Sequence, residues 1–201
     1  PCQYMHFFIE HNYGHHINVA TPDDPATAKY KQNLYSFWIS SVTKTYISAW
    51  RIQLKLLRVS KLSFFSLRND MIFYTLFQIS FLIFIYLNYG LIITIYSVLM
   101  SIGSFLFLET INYVEHYGLL RKIKSNGKYE RVKPHHSWNS NHTIGRITLY
   151  ELTRHSDHHF ISSKKYQVLF SRKKHSQSKE DQRGSSKQHQ IVLNIFLPHK
   201  S

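Results

Sequence analysis

The chain has 201 residues, enough for one domain, with a net charge of +14 and a single cysteine, Cys2. One thiol excludes an internal disulfide framework and any cysteine-rich zinc or iron–sulfur site. The positive charge would suit a nucleic acid, but about half of it lies after Phe160 and the rest flanks a long apolar run. The membrane accounts for that pattern, and nucleic acid is set aside as a partner. Fourteen histidines are the more unusual figure.

Pro1 opens the chain without a Met or a signal sequence, so a longer protein is expected. Residues 6–16 read HFFIEHNYGHH. On an α-helix His11 and His15 stand one turn apart, while His16 points about 100° round from His15. A pair that fans apart can offer one imidazole to each of two metals; a histidine cluster without metal is the other reading. Further on, Asp24 before Pro25 predicts the N-cap of a short helix. From Tyr46 to Leu67, Ile47, Trp50, Leu54 and Leu57 recur at helical spacing against Arg51, Lys55 and Arg58. That pattern predicts an interfacial amphipathic helix leading into a span.

From Met71 to Leu108 the chain carries 38 residues in a row without a charge. A single span needs about 20, and Asn88-Tyr89-Gly90 places turn residues at the midpoint. The expectation is a transmembrane helical hairpin with spans at about 71–87 and 91–108. Lys44, Arg51, Lys55, Arg58, Lys61 and Arg68 precede it, and Arg121, Lys122, Lys124, Lys128, Arg131 and Lys133 follow it. Basic flanks stay cytoplasmic, and a hairpin returns both ends to one side. The histidine groups before and after it are therefore expected to meet at the cytoplasmic face, of the inner membrane if the source is bacterial.

Past the hairpin, Glu109, Glu115 and His116 fall at the membrane boundary, where ionisable groups face an interior and pair. His116 is read as a ligand with the acid Glu115 beside it, or else as an interfacial histidine reaching for water. SNGKYERVKP puts Asn126-Gly127 at the tip of a hairpin or loop. HHSWNSNHTIG, with His135, His136, His142 and Asn139, suits a cap over a site better than a ligand set. RHSDHH spaces His155, His158 and His159 at i, i+3 and i+4, with Asp157 among them to hydrogen-bond an imidazole. After Gln167 the sequence turns polar and basic, and residues 168–201 are expected to be a disordered tail.

Imidazole ligands without thiolate suit iron, zinc, copper or nickel. Two fanned triplets plus His116 exceed what one metal can take, which argues for two; beside an apolar hairpin, a di-iron site built for O2 fits best. The fold class is then all-α integral membrane: a helical hairpin, cytoplasmic histidine-bearing helices and a basic tail, with residues 1–167 as the domain.

EHNYGHHINVATPDDPAT, NYVEHYGLLR, YERVKPHHSWNSNH and RHSDHH, in this order and spacing, resemble the alkane 1-monooxygenase family of membrane di-iron desaturases and hydroxylases. The resemblance covers about residues 6–167, including SAWR (48–51) and SLRND (66–70). It implies two non-haem irons held by His11, His15, His16, His116, His155, His158 and His159, with Glu10, Glu115, Asp157 and Asn139 as hydrogen-bond partners behind them. It also implies O2-dependent hydroxylation of a terminal methyl group of an alkane or fatty acyl chain to a primary alcohol. Electrons would come from rubredoxin and its NADH-dependent reductase. A fatty-acyl desaturase or a xylene-type monooxygenase is the alternative. The family's first histidine pair is absent, so the chain as written is expected to be an inactive part of an active enzyme.

Overall fold

Every fourth residue from Phe37 to Leu57 is buried: Phe37, Ser41, Thr45, Ala49, Gln53 and Leu57. This stripe runs along α3, Leu34–Val59. Three of its six members are polar, while Tyr35, Ile39 and Ile47 point outward and are exposed. Lys44, Arg51, Lys55 and Arg58 are exposed as well, and a helix that shows both apolar and basic side chains suits a membrane interface. The structure is a computed structural model that describes residues 3–138 and His159. Its described elements are α1 (Phe7–Glu10), a π-helical turn (His11–His15), α2 (His16–Asn18), α3, α4 (Asp70–His116) and a 3₁₀ turn (Pro134–His136). Ile123 and Tyr129 form an isolated antiparallel bridge.

The chain divides into two compact units. Pro1–Ile17 and Trp38–Ile111 form the first; Asn18–Phe37 and the chain from Asn112 onward form the second. In the first, Ile9, Ala49 and Met71 make a small buried core, with Trp50, Ile52 and Tyr74 against it. In the second, Ala20, Ala28, Leu34, Phe37, Tyr113 and Tyr117 are buried. Phe37 and Tyr113 meet edge to face, with ring centroids 5.3 Å apart.

The α3 helix begins at a side-chain cap, where Asn33 Oδ1 accepts the Ser36 N–H at 2.8 Å, a bond worth about 1 kcal/mol. Its C-terminus corrects the sequence expectation of a helix from Tyr46 to Leu67, because it stops at Val59. Lys61 takes a left-handed φ of 53°. The Leu62 N–H then turns back to Leu57 O at 2.9 Å, closing the last turn in the way a terminal glycine usually does. The apolar residues Phe64, Phe65 and Leu67 beyond it are exposed on turns.

Asn69 starts α4, accepting the Phe73 N–H on its carbonyl and the Ile72 N–H on Oδ1. The helix is long and apolar enough to cross a membrane. Its apolar side chains are mostly exposed, with Phe73, Leu76, Leu87, Ile92 and Met100 each at least 57 % accessible. Gly90 interrupts it with φ 78° and ψ 178°, so the run is two helices joined at that residue. The break falls among the turn residues that the sequence marked.

Asp24 does not cap a helix. Its carboxylate accepts the Ala26 N–H at 3.1 Å and the Thr27 hydroxyl, making a tight turn. Pro25 sets the φ of such a turn, and the residues after it do not continue as helix. The hairpin at Asn126-Gly127 is present: Lys124 N–H meets Lys128 O at 2.8 Å, and Gly127 takes φ 74°. Positions 168–201 lie outside the described residues.

Candidate metal centre

The first histidine group sits on a π-helical turn, His11–His15, spliced between short α-helical pieces. A π-turn widens the repeat so that residues five apart share a face. His11 and His16 therefore converge, with their Nε2 atoms 3.2 Å apart. The α-helical expectation that His16 swings away on its own is corrected by this widening. His15 lies in the same group, its ring 5.2 Å from that of His11, and it is 1 % exposed. Two neighbouring imidazole ligands at a metal–nitrogen distance of about 2.1 Å stand about 3 Å apart. The His11–His16 separation fits one cation between them.

Gly14 makes room behind these rings. A Cβ there would lie 2.6 Å from Glu10 Oε1 and 3.1 Å from Ile52 Cδ1. Glu10 is fully buried, so its carboxylate occupies the space that a larger residue would need. His6, also buried, packs edge-on to Tyr4 and Tyr46, and burial lowers its pKa to about 4.

The same unit carries a buried carboxylate that sequence reading placed only in outline. Glu109 has no exposed surface. Tyr4 donates to its Oε1 at 2.9 Å and Ser41 to its Oε2 at 2.6 Å. Thr45 lies 3.0 Å from the Tyr4 hydroxyl. Burial, then the Glu109 carboxylate, drives the Tyr4 phenol far above its ordinary value. The expectation that Glu109 pairs is met by hydroxyls. Ser41 and Thr45, one turn apart on the face that α3 buries, were the signal that could have found this network.

The second unit holds His116 and His159, ring centroids 5.1 Å apart and edge to face. His116 is fully buried and His159 is 6 % exposed. Glu115 beside it is buried too, and burial pushes its carboxyl well above the usual carboxylate range. His155, His158, Asp157, Asn139 and His142 lie outside the described residues.

Glu130, His135 and His136 also bring ligand-type atoms together. The Lys133 N–H donates to His136 Nδ1 at 3.0 Å, so the neutral ring carries its proton on Nε2, which faces Glu130 Oε1 at 3.5 Å. A metal at Nε2 would require a doubly deprotonated ring. Lys133 Nζ holds the other Glu130 oxygen at 2.6 Å. Glu130, Lys133 and His136 form a hydrogen-bonded clamp beside the 3₁₀ turn.

A helical protein with buried histidine groups and a long lipid-suited helix defines the class, and the chain belongs to the fatty acid desaturase family, whose sequence pattern matches residues 3–172. Within it, the resemblance read from the motifs is borne out. The chain is 40% identical over 166 residues to alkane 1-monooxygenase 2 of Pseudomonas aeruginosa, covering 83% of this chain and 44% of that protein. Alkane 1-monooxygenase 2 of Alcanivorax borkumensis is 39% identical over 166 residues, with the same coverage of each chain. The hydroxylase component of xylene/toluene monooxygenase from Pseudomonas putida is 32% identical over 155 residues, covering 75% of this chain and 40% of that protein. The chain thus spans less than half the length of the curated relatives it matches.

Proposed function

We propose that this chain is part of a membrane di-iron monooxygenase that hydroxylates the terminal methyl group of an alkane or fatty acyl chain. The observation that carries the reading is the convergence of His11 and His16 within the segment that matches the fatty acid desaturase family, in a chain 40% identical to an alkane 1-monooxygenase over 166 residues. Greater identity to those enzymes than to the xylene/toluene hydroxylase favours an alkane over an arene.

His11, His15, His16, His116, His155, His158 and His159 are the proposed ligands of two irons. When bound, the irons supply the one-oxygen oxidation of an unactivated C–H bond by O2. The chain's own part is to present neutral imidazoles, to keep water from them, and to aim the substrate. Burial of His15 and His116 serves the second task. Glu10, Glu115, Asp157 and Asn139 are assigned the part of hydrogen-bond partners behind the ligands.

At about 1.5 Å per residue, the 47 residues of α4 would extend about 70 Å. The hydrocarbon core is about 30 Å thick. Two spans turned at Gly90 satisfy both lengths, with the histidine groups on the cytoplasmic side and the apolar spans beside the substrate. The basic residues around the spans suit an acidic electron donor such as rubredoxin, itself reduced by an NADH-dependent reductase.

Gas chromatography after incubation of the whole enzyme of which this chain is proposed to be part with octane, O2, NADH, rubredoxin and its reductase tests the proposal. 1-Octanol is the expected product. An alkene from an acyl thioester, or a benzylic alcohol from xylene with none from octane, would replace it with the alternatives.

A further inference from the structure

The end of α4 at His116 is fastened by a residue twenty-two positions downstream. A helix leaves its last carbonyls without donors of its own, and here the chain turns away at once. Gly118 adopts φ 66°, and its N–H goes to Ala28 O at 2.8 Å instead of back to the helix. Two of the carbonyls left over flank His116, those of Glu115 and Tyr117. Trp138 takes both: its main-chain N–H donates to Glu115 O at 2.8 Å, and its indole Nε1–H donates to Tyr117 O at 3.0 Å.

We infer that Trp138 is a positioning residue for His116, clamping the backbone on either side of it so that the imidazole keeps one direction. The inference rests on the proposed role of His116 as a metal ligand. One residue donating at two separated points, through its main-chain N–H and its indole Nε1–H, fixes the peptide planes before and after residue 116, and these set the Cα–Cβ direction of the ligand. Tyr117 is held from its other end as well, because its hydroxyl accepts the Lys31 N–H at 3.0 Å. His116 is buried with its ring beside His159, so a small rotation of its backbone moves the ring against a neighbour. Phenylalanine at 138 would keep the main-chain bond and most of the ring, and lose only the indole donor.

The test uses the whole 201-residue chain in detergent micelles. Diethyl pyrocarbonate modifies accessible imidazoles, and peptide mass spectrometry resolves each histidine. In Trp138→Phe the rate at His116 is expected to rise several-fold while that at His6, buried in the other unit, stays the same. An unchanged rate at His116, or an equal rise at both, would overturn the inference, since general loosening does not discriminate between them. If the variant does not fold, the unaltered chain decides: the Trp138 indole proton should exchange with deuterium more slowly than that of Trp50, and equal rates would refute the clamp. Cobalt(II) titration separates this from the ligand reading. His116→Ala with undiminished cobalt affinity removes the ligand role and the purpose given to Trp138 with it. Lost affinity in His116→Ala beside an unchanged His116 rate in Trp138→Phe overturns the clamp alone.

Discussion

His11 Nε2 and His16 Nε2 lie 3.2 Å apart although the two residues are five positions apart in sequence. Regular α-helical spacing would rotate them about 140° apart, so the π-turn from His11 to His15 is what brings them together. Such turns persist where a site needs them.

Gly14 is the residue on which that turn closes. Gly14→Ala places a methyl group 2.6 Å from Glu10 Oε1, and the carboxylate must move. Disturbing a partner behind metal ligands costs about 10–100-fold in metal affinity, and a loss of that order is expected here. Cobalt(II) titration of the variant against the parent chain measures it.

The Glu109 network predicts a stability effect of its own. Tyr4→Phe leaves the buried carboxylate with one donor fewer, which costs about 1–3 kcal/mol. Ser41→Ala removes the other hydroxyl. Because both bonds serve one carboxylate, the double variant should depart from additivity. Chemical unfolding in detergent micelles gives the four stabilities.

Gly90 and Gly103 make a contrast within one run. Neither has a heavy atom within 4 Å of a added Cβ, but Gly90 has φ 78° and Gly103 does not depart from the helix. Gly90→Ala is expected to destabilise by about 1–3 kcal/mol through backbone strain alone. Gly103→Ala should be neutral or stabilise by up to about 1 kcal/mol. Unfolding midpoints of the two variants test the difference.

Burial lowers the His136 pKa to about 4, with neighbouring His135 adding to the effect and Glu130 opposing it. An unfolded histidine titrates near 6.5. Between these values the unfolded chain binds more protons, so the stability contributed by neutral His136 is present above about pH 6.5 and falls as pH drops toward 4. Glu130, held down to about 2 chiefly by Lys133, keeps its charge through that window. Protonation also deprives the Lys133 N–H of its acceptor at Nδ1. Deuterium exchange at that amide should accelerate as pH is lowered through 4, beyond the trend of exposed amides, and His136→Ala should abolish the step.

Much of this was legible in the sequence because single residues carried it. The uncharged run from Met71 to Leu108 announced the long helix, Gly90 its break, and Asn126-Gly127 the hairpin tip. What stayed hidden depended on context. The π-turn leaves no mark in the spacing of His11, His15 and His16, which an α-helix reads equally well. The buried stripe of α3 includes Ser41, Thr45 and Gln53, so a pattern sought among apolar residues missed its true face and its end at Val59. Trp138 reaches a helix end that no local rule connects to it.

The central claim is that the histidine groups before and after the apolar run serve one metal pair from one side of the membrane. Single cysteines at Asn12, Asn126 and Asn88, each with Cys2→Ser, can be probed with a membrane-impermeant maleimide in sealed vesicles of known orientation. The account predicts that positions 12 and 126 react from the cytoplasmic side and position 88 from the other. Reaction of 12 and 126 from opposite sides would leave no shared centre, and the proposed chemistry would fall with it.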